Sequence, residues 1–245
     1  MLLSEQSALV TGAANRLGAQ IARTLHQNGA NLIIHYRSSA AAARALVDEL
    51  NQARADSALA IAADLAVDAD VDDLGRRACS AFGGLHILVN NASSYFPTRF
   101  GEIDRHSWDD LIASNYKAPL FLAQACYPAL RKSRGCIINM VDIYASRPLN
   151  EHSVYCSAKA ANQMLVKSLA LELAPEVRVN GIAPGAILWP QSGGPSAEQR
   201  QTLCAQVPLQ RLGGAQVIAD TVLFLASNDY ITGEVIRVDG GRLLK

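Results

Sequence analysis

The chain has few aromatic residues (6%) and little charge, with only 18% of its 245 residues being Asp, Glu, Lys or Arg. The charges also cancel: 22 Lys and Arg against 22 Asp and Glu leave a formal net charge of zero. A neutral chain has no long-range field to draw it to a polyanion, so neither nucleic acid nor an anionic membrane surface is expected as a partner. No segment reaches the roughly 18 uninterrupted apolar residues of a membrane helix. Met1-Leu2-Leu3-Ser4-Glu5 lacks the basic start and apolar stretch of a secretory leader, so a cytoplasmic location is the expectation. The five cysteines, at 79, 126, 136, 156 and 204, show no CxxC and no Cys/His spacing suited to a metal. They read as buried or idle thiols in a reducing compartment, with no disulfide and no metal site expected.

What the chain does have is an alternation of short apolar runs with longer stretches of helical spacing. Candidate strands are 8–10, 31–35, 58–63, 85–90, 136–142, 179–183 and 235–238. Between them lie patterns such as Leu17, Ile21 and Leu25, closed by Gly29. Such alternation predicts an α/β fold with a parallel sheet covered by helices on both faces. No linker, repeat or low-complexity tract divides it, so residues 1–245 are expected to form a single domain. The longest irregular stretch, about 186–208, holds Trp189, Pro190, Gly193, Gly194 and Pro195 and follows a strand, which suits a binding lid; a surface insertion is the alternative.

The first strand runs into Thr11-Gly12-Ala13-Ala14-Asn15-Arg16-Leu17-Gly18 and then a helix. Glycines there let the backbone approach a pyrophosphate, which the free N–H groups at the helix start stabilise. An NAD site usually carries an acid at the end of the second strand to bind the ribose hydroxyls. This chain instead reads His35-Tyr36-Arg37-Ser38-Ser39, with no acid before Asp48. Arg37 offers charge to a 2′-phosphate and the serines offer hydroxyls, so NADPH is the expected cofactor. Asp64, with Leu65 after it, ends the third strand and either meets the adenine or caps the next helix.

Tyr155 and Lys159 are four residues apart and so share a helix face. A lysine ammonium beside a phenol favours the phenolate, which predicts a lowered Tyr155 pKa and useful acid–base chemistry. Alone such a pair is common on surface helices. Here it stands with Thr11-Gly12 to Gly18, Asn90-Asn91-Ala92, Asn115, Pro184-Gly185 and Val238-Asp239-Gly240-Gly241. In that order and spacing the chain resembles the short-chain dehydrogenase/reductase family over nearly its whole length. The resemblance implies a doubly wound Rossmann domain with a seven-stranded parallel sheet. It implies that Asn90 and Ala92 line the adenosine side of the cofactor, that Lys159 holds the nicotinamide ribose, that Asn115 supports a water-linked proton path, and that Pro184-Gly185 borders the nicotinamide.

Three positions depart from the commoner family pattern: Arg16 replaces a glycine, Ser93 follows Asn90-Asn91-Ala92, and Asp142 replaces a serine thirteen residues before Tyr155. A serine there donates to a substrate carbonyl, which an ionised carboxylate repels. A carboxyl group suits a substrate with N–H groups, or a ring nitrogen that must gain a proton, as in reduction of a C=N bond. Burial would raise the Asp142 pKa and help it do so; a structural aspartate closing the fifth strand is the alternative. Arg16, His35-Tyr36-Arg37-Ser38, Asn90 to Thr98 and Asn139-Met140-Val141-Asp142 together resemble the pteridine reductases, although Arg37 stands one place earlier than in that subgroup. This implies NADPH-dependent reduction of dihydropterins, with oxidised pterins and dihydrofolate as further substrates, by a homotetramer. It implies a pterin between the nicotinamide and Tyr95, with Arg16, Ser93, Asp142 and Tyr155 as polar partners and Trp189 on the lid side. Met140 falls within the same stretch, beside the cofactor. Two other readings stay open: a carbonyl reductase acting on a 3-oxoacyl thioester or sugar ketone, and a non-catalytic NADP-binding sensor.

Overall fold

The computed structural model describes residues 2–189, 194 and 196–245. Seven strands, β1 (Ser7–Val10), β2 (Asn31–Tyr36), β3 (Ala58–Ala62), β4 (Ile87–Asn90), β5 (Cys136–Met140), β6 (Arg178–Pro184) and β7 (Val235–Val238), form one sheet in the order β3-β2-β1-β4-β5-β6-β7. Every pairing is parallel. Both sheet faces are apolar, because alternate residues of each strand feed different cores. Ala8, Val10, Leu32, Ile34, Val89 and Ile138 face one way, and Leu9, Ile33, Leu88 and Ile137 the other. A strand buried on both faces reads as a continuous apolar run, which is why the runs were visible but their facing was not.

Helices α1 (Arg16–Gln27), α2 (Ala40–Ala53) and α8 (Ala215–Ser227) cover the first face through Ile21, Leu25, Leu46, Leu50, Ile218 and Val222. Helices α3 (Asp68–Ser80), α5 (Ala118–Ser133) and α6 (Ser153–Leu173) cover the second through Leu74, Leu122, Leu130, Val166 and Leu169. The fold is a doubly wound Rossmann-type sheet. Its strand order reverses between β1 and β4, and a crevice opens at that switch point, beyond the carboxyl ends of the strands.

Three sequence expectations are corrected. The fourth strand begins at Ile87 rather than 85, since its pairing with both neighbours starts there, opposite Ala8 on β1 and Cys136 on β5. The fifth ends at Met140, which leaves Asp142 beyond the sheet. The stretch 186–208 is not wholly irregular: Ala197–Ala205 form a further helix, α7. Ser196 and Gln199 close a reciprocal capping box at its start, satisfying two otherwise orphaned amides. Pro190, Gly193 and Pro195 of the expected lid lie outside the described residues.

Candidate active site

The crevice is a cleft of about 730 Å³, within the usual range for small-molecule sites. One end is built by the turn after β1. Gly12 sits in the left-handed region at φ +61°, and a Cβ on it would lie 3.1 Å from Ala92 Cα. A Cβ on Gly18 would drive into the Gly12 carbonyl and the Asn91 side chain. Thr11 Oγ1 accepts from the amides of Asn91 and Ala92, both at 2.9 Å, and so ties this turn to the segment after β4. The result is a tight backbone cradle at a helix start, which fits a dinucleotide pyrophosphate. Asn15, Arg16, Leu17 and Gly18 all line the cleft.

Arg16 is itself left-handed, at φ +52°, which explains why a glycine is commoner there. Its guanidinium donates to the Trp189 carbonyl at 2.9 Å and so spans the cleft mouth. The Trp189 ring lies 5.4 Å from the Arg200 guanidinium, a cation–π contact on α7, and is not part of the cleft wall. Arg37 and Asp64 line the far end with Leu65. Arg37 is mostly exposed, 3.9 Å from Asp110 on helix α4 (Arg105–Ile112). Asp64 does not cap α3; its Oδ1 accepts from the Ala66 amide, closing the turn before that helix. Tyr36, Ser38 and Ser39 are not on the cleft wall: Tyr36 packs into the first core, and both serines are exposed before α2.

The other end holds the chemistry. Beyond β5, Asp142 caps a single 3₁₀ turn (Ile143–Ala145), its Oδ1 accepting from the Tyr144 amide at 2.9 Å. Asp142 therefore does not close the fifth strand, as the structural alternative had it, but caps the turn after it, and that role occupies one oxygen only. Oδ2 accepts from the Tyr155 hydroxyl at 2.7 Å. Tyr155 and Lys159 lie in the first turns of α6, and the buried Lys159 Nζ donates to the Met140 carbonyl at 2.8 Å. Ala92, Ser93, Tyr95, Met140, Pro184 and Gly185 complete this end.

Burial pushes the Asp142 pKa above the usual carboxylate value, against the hydrogen bonds from Tyr144 and Tyr155 and the charges of Lys159 and Arg242. Burial also pushes Lys159 down to about 8, with Asp142 opposing. The expectation that Lys159 lowers the Tyr155 pKa is overturned: Tyr155 is raised, first by burial and then by the Asp142 charge and hydrogen bond. Geometry gives the reason. Asp142 touches the phenol oxygen, whereas Nζ is pinned to Met140 and lies 5.7 Å from the centre of the ring. In this state Tyr155 is a neutral phenol and Asp142 its acceptor.

Tyr95 lines the cleft but also stacks on His152 at 4.9 Å, while its ring meets Tyr155 in a T-shaped contact at 4.9 Å. Asn90 does not face the cleft. Its Nδ2 donates to Asn139 Oδ1, Asn139 donates to Asn162, and Asn162 donates to the Asn115 carbonyl, a buried chain of amides between sheet and helices. Asn115 sits in a π-helical turn, Ala113–Lys117, with its Nδ2 donating to the Ser94 and Leu111 carbonyls. Its buried Oδ1 has no partner among the described atoms and so retains an acceptor for a water or a ligand. Polar cleft residues missed by sequence reasoning include His35, Asn91, Asp110 and Ser114. His35 and Asn91 stood inside quoted motifs, whereas Asp110 on α4 and Ser114 in the turn after it carried no local signal. Arg242, missed too, lies 5.8 Å over the Tyr144 ring and acts on Asp142 by its charge.

A parallel switch-point cleft with a glycine cradle at one end and a Tyr–Lys pair at the other defines a class, and the comparisons agree. The family model described as enoyl-(acyl carrier protein) reductase matches residues 12–242. The chain belongs to the short-chain dehydrogenase/reductase family and is an oxidoreductase of that type. Pteridine reductase 1 of Leishmania tarentolae is 38% identical, over 96% of this chain and 95% of that one. A 3-oxoacyl-acyl-carrier-protein reductase of Staphylococcus aureus is 37% identical, over 96% and 97%. An uncharacterized oxidoreductase of Methylorubrum extorquens is 34% identical, over 98% of each. Family members use a nicotinamide dinucleotide, and the cradle, Lys159 and the open Asn115 acceptor fit one.

Proposed function

We propose that this reductase is NADPH-dependent and acts on pterins, reducing a C=N bond of a dihydropterin. The observation that carries this reading is the Asp142 carboxyl group 2.7 Å from the Tyr155 hydroxyl at the cleft. A carboxylate there opposes the partial negative charge of a carbonyl oxygen and suits the N–H groups of a heterocycle. The cofactor, when bound, supplies a hydride to carbon. The chain must then supply one proton to nitrogen. Asp142 has a raised pKa and takes up that proton; the Tyr155 hydroxyl, able to donate and accept at once, passes it on. Lys159 holds the ribose end of the cofactor and, as a cation, offsets negative charge left on the pair. Arg37 and the absence of an acid after β2 support the 2′-phosphate. Ser93 and Arg16 offer donors at the rim of the same cleft.

Carbonyl reduction is the competing reading, since a 3-oxoacyl thioester reductase is nearly as similar as a pteridine reductase. Following NADPH absorbance with a dihydropterin and then with an acetoacetyl thioester separates them. Oxidation with the pterin alone supports the proposal; oxidation with the thioester alone sinks it. Binding without turnover on either would favour a sensor.

A further inference from the structure

Buried titratable groups outside the proton path are few, and His35 stands apart because it grips the cofactor cradle. It is the last residue but one of β2, is 2% exposed, and lies on the cleft wall beside the glycine-rich turn. Its Nδ1 is 3.0 Å from the Gly12 amide nitrogen, which donates to it. Its Nε2 is 3.1 Å from the Ala63 carbonyl at the end of β3. A carbonyl only accepts, so Nε2 carries the proton and Nδ1 is bare. The His35 carbonyl also accepts from the Ala13 amide at 2.9 Å. One residue thus satisfies the first two amides of the turn and joins three strand ends, which leaves the amides at the start of α1 for an anion.

We propose that His35 is a positioning residue of the dinucleotide site: as the neutral Nε2–H tautomer it fixes the left-handed Gly12 turn, and its protonation releases that turn and weakens cofactor binding. A protonated Nδ1 would point a second N–H at the Gly12 N–H, replacing a hydrogen bond by a repulsion. The charged groups on the same part of the cleft wall are Arg16 in the turn after β1, Arg37 just past β2 and Asp64 after β3. Burial holds the His35 pKa below the ordinary histidine value, outweighing the Ala63 carbonyl and then the Asp64 charge, which both favour the charged ring. The proposal rests on the dinucleotide reading of the cleft but not on the choice between NADPH and NADH, since the pyrophosphate is common to both.

Calorimetric Kd values for both dinucleotides test it with two variants. His35→Asn keeps an acceptor at the Nδ1 position; His35→Gln keeps a donor near Ala63 and loses that acceptor. Expected for His35→Gln is a Kd raised roughly tenfold for both dinucleotides, the scale of one hydrogen bond, with kcat at saturating cofactor unchanged. Expected for His35→Asn is a Kd within about twofold of wild type at neutral pH, consistent with a retained hydrogen bond. The wild-type Kd for NADH, which has no titrating 2′-phosphate, should rise as pH falls through the lowered His35 pKa, and His35→Asn should lack that limb. Equal losses in both variants, or an acid limb that persists in His35→Asn, overturn the proposal. Wild type that binds neither dinucleotide removes the cofactor reading itself, and this assignment with it. Should either variant fail to fold, imidazole nitrogen NMR of the wild-type complex reads the ring directly. A bare Nδ1 and protonated Nε2 are expected; a doubly protonated ring or the opposite tautomer overturns the assignment.

Discussion

Asp142 and Tyr155 share one proton, and burial decides how readily they take a second. The reaction proposed needs that second proton on Asp142. Dihydropterin turnover should therefore be highest at acid pH and fall as pH rises through the raised Asp142 pKa. Asp142→Asn, which cannot carry the proton, should erase this limb and lower kcat/KM on the order of 10²-fold or more, read from a pH–rate profile. An unchanged profile would move the proton source elsewhere. At the same scale, Arg16 holds a left-handed backbone that costs a non-glycine residue about 1 kcal/mol. Arg16→Gly should raise the melting temperature by a few degrees for a ΔΔG of that size, while raising KM for the pterin. A lower melting temperature would mean that the arginine stabilises the turn, and an unchanged KM that it does not contact the pterin. The residue identities and the spacing of the Tyr–Lys pair were legible in the sequence. The direction of the Tyr155 pKa was not, because it depends on which neighbour reaches the oxygen.

Helix α7 is an element whose start signal, Ser196-x-x-Gln199, is present in the sequence but was obscured by the Pro- and Gly-rich residues before it. It buries no side chain fully, so its cap matters more than its packing. Ser196→Ala should cost about 1 kcal/mol locally. Faster amide exchange across Ala197–Ala205 with an unchanged global melting temperature is expected; an unchanged exchange pattern would show that packing alone holds the helix. Helices α3 and α5 behave oppositely. A Cβ on Gly75 would lie 2.5 Å from Ala125 Cβ, closer than real Cβ contacts come. Gly75→Ala gains about 1 kcal/mol of helix propensity but forces two packed helices apart, an overpacking cost of roughly 1–3 kcal/mol. Net destabilisation in chemical denaturation is expected, and a more stable variant would show that the pair yields easily. Nothing in the sequence marks that contact, because α3 and α5 are far apart along the chain and pack directly on each other only once both lie on the same sheet face.

At the scale of the whole molecule, the assembly proposed is a homotetramer. Phe121 on α5 and Met164 and Leu171 on α6 are exposed apolar side chains that such an assembly would cover. Sedimentation should give one species near four chain masses; a monomer would remove the proposal. No described helix is long and apolar enough to cross a membrane. The sequence by itself determined the alternation of strands and helices, the glycine turn, the missing acid after β2 and the Tyr155–Lys159 pair, because each is a local pattern read along the chain. Only the tertiary structure decided that Asp142 reaches Tyr155, that Asn90 turns inward, and that His35 accepts from the Gly12 amide. Those contacts join different elements, and their energies depend on burial, which exists only once the sheet is covered on both faces.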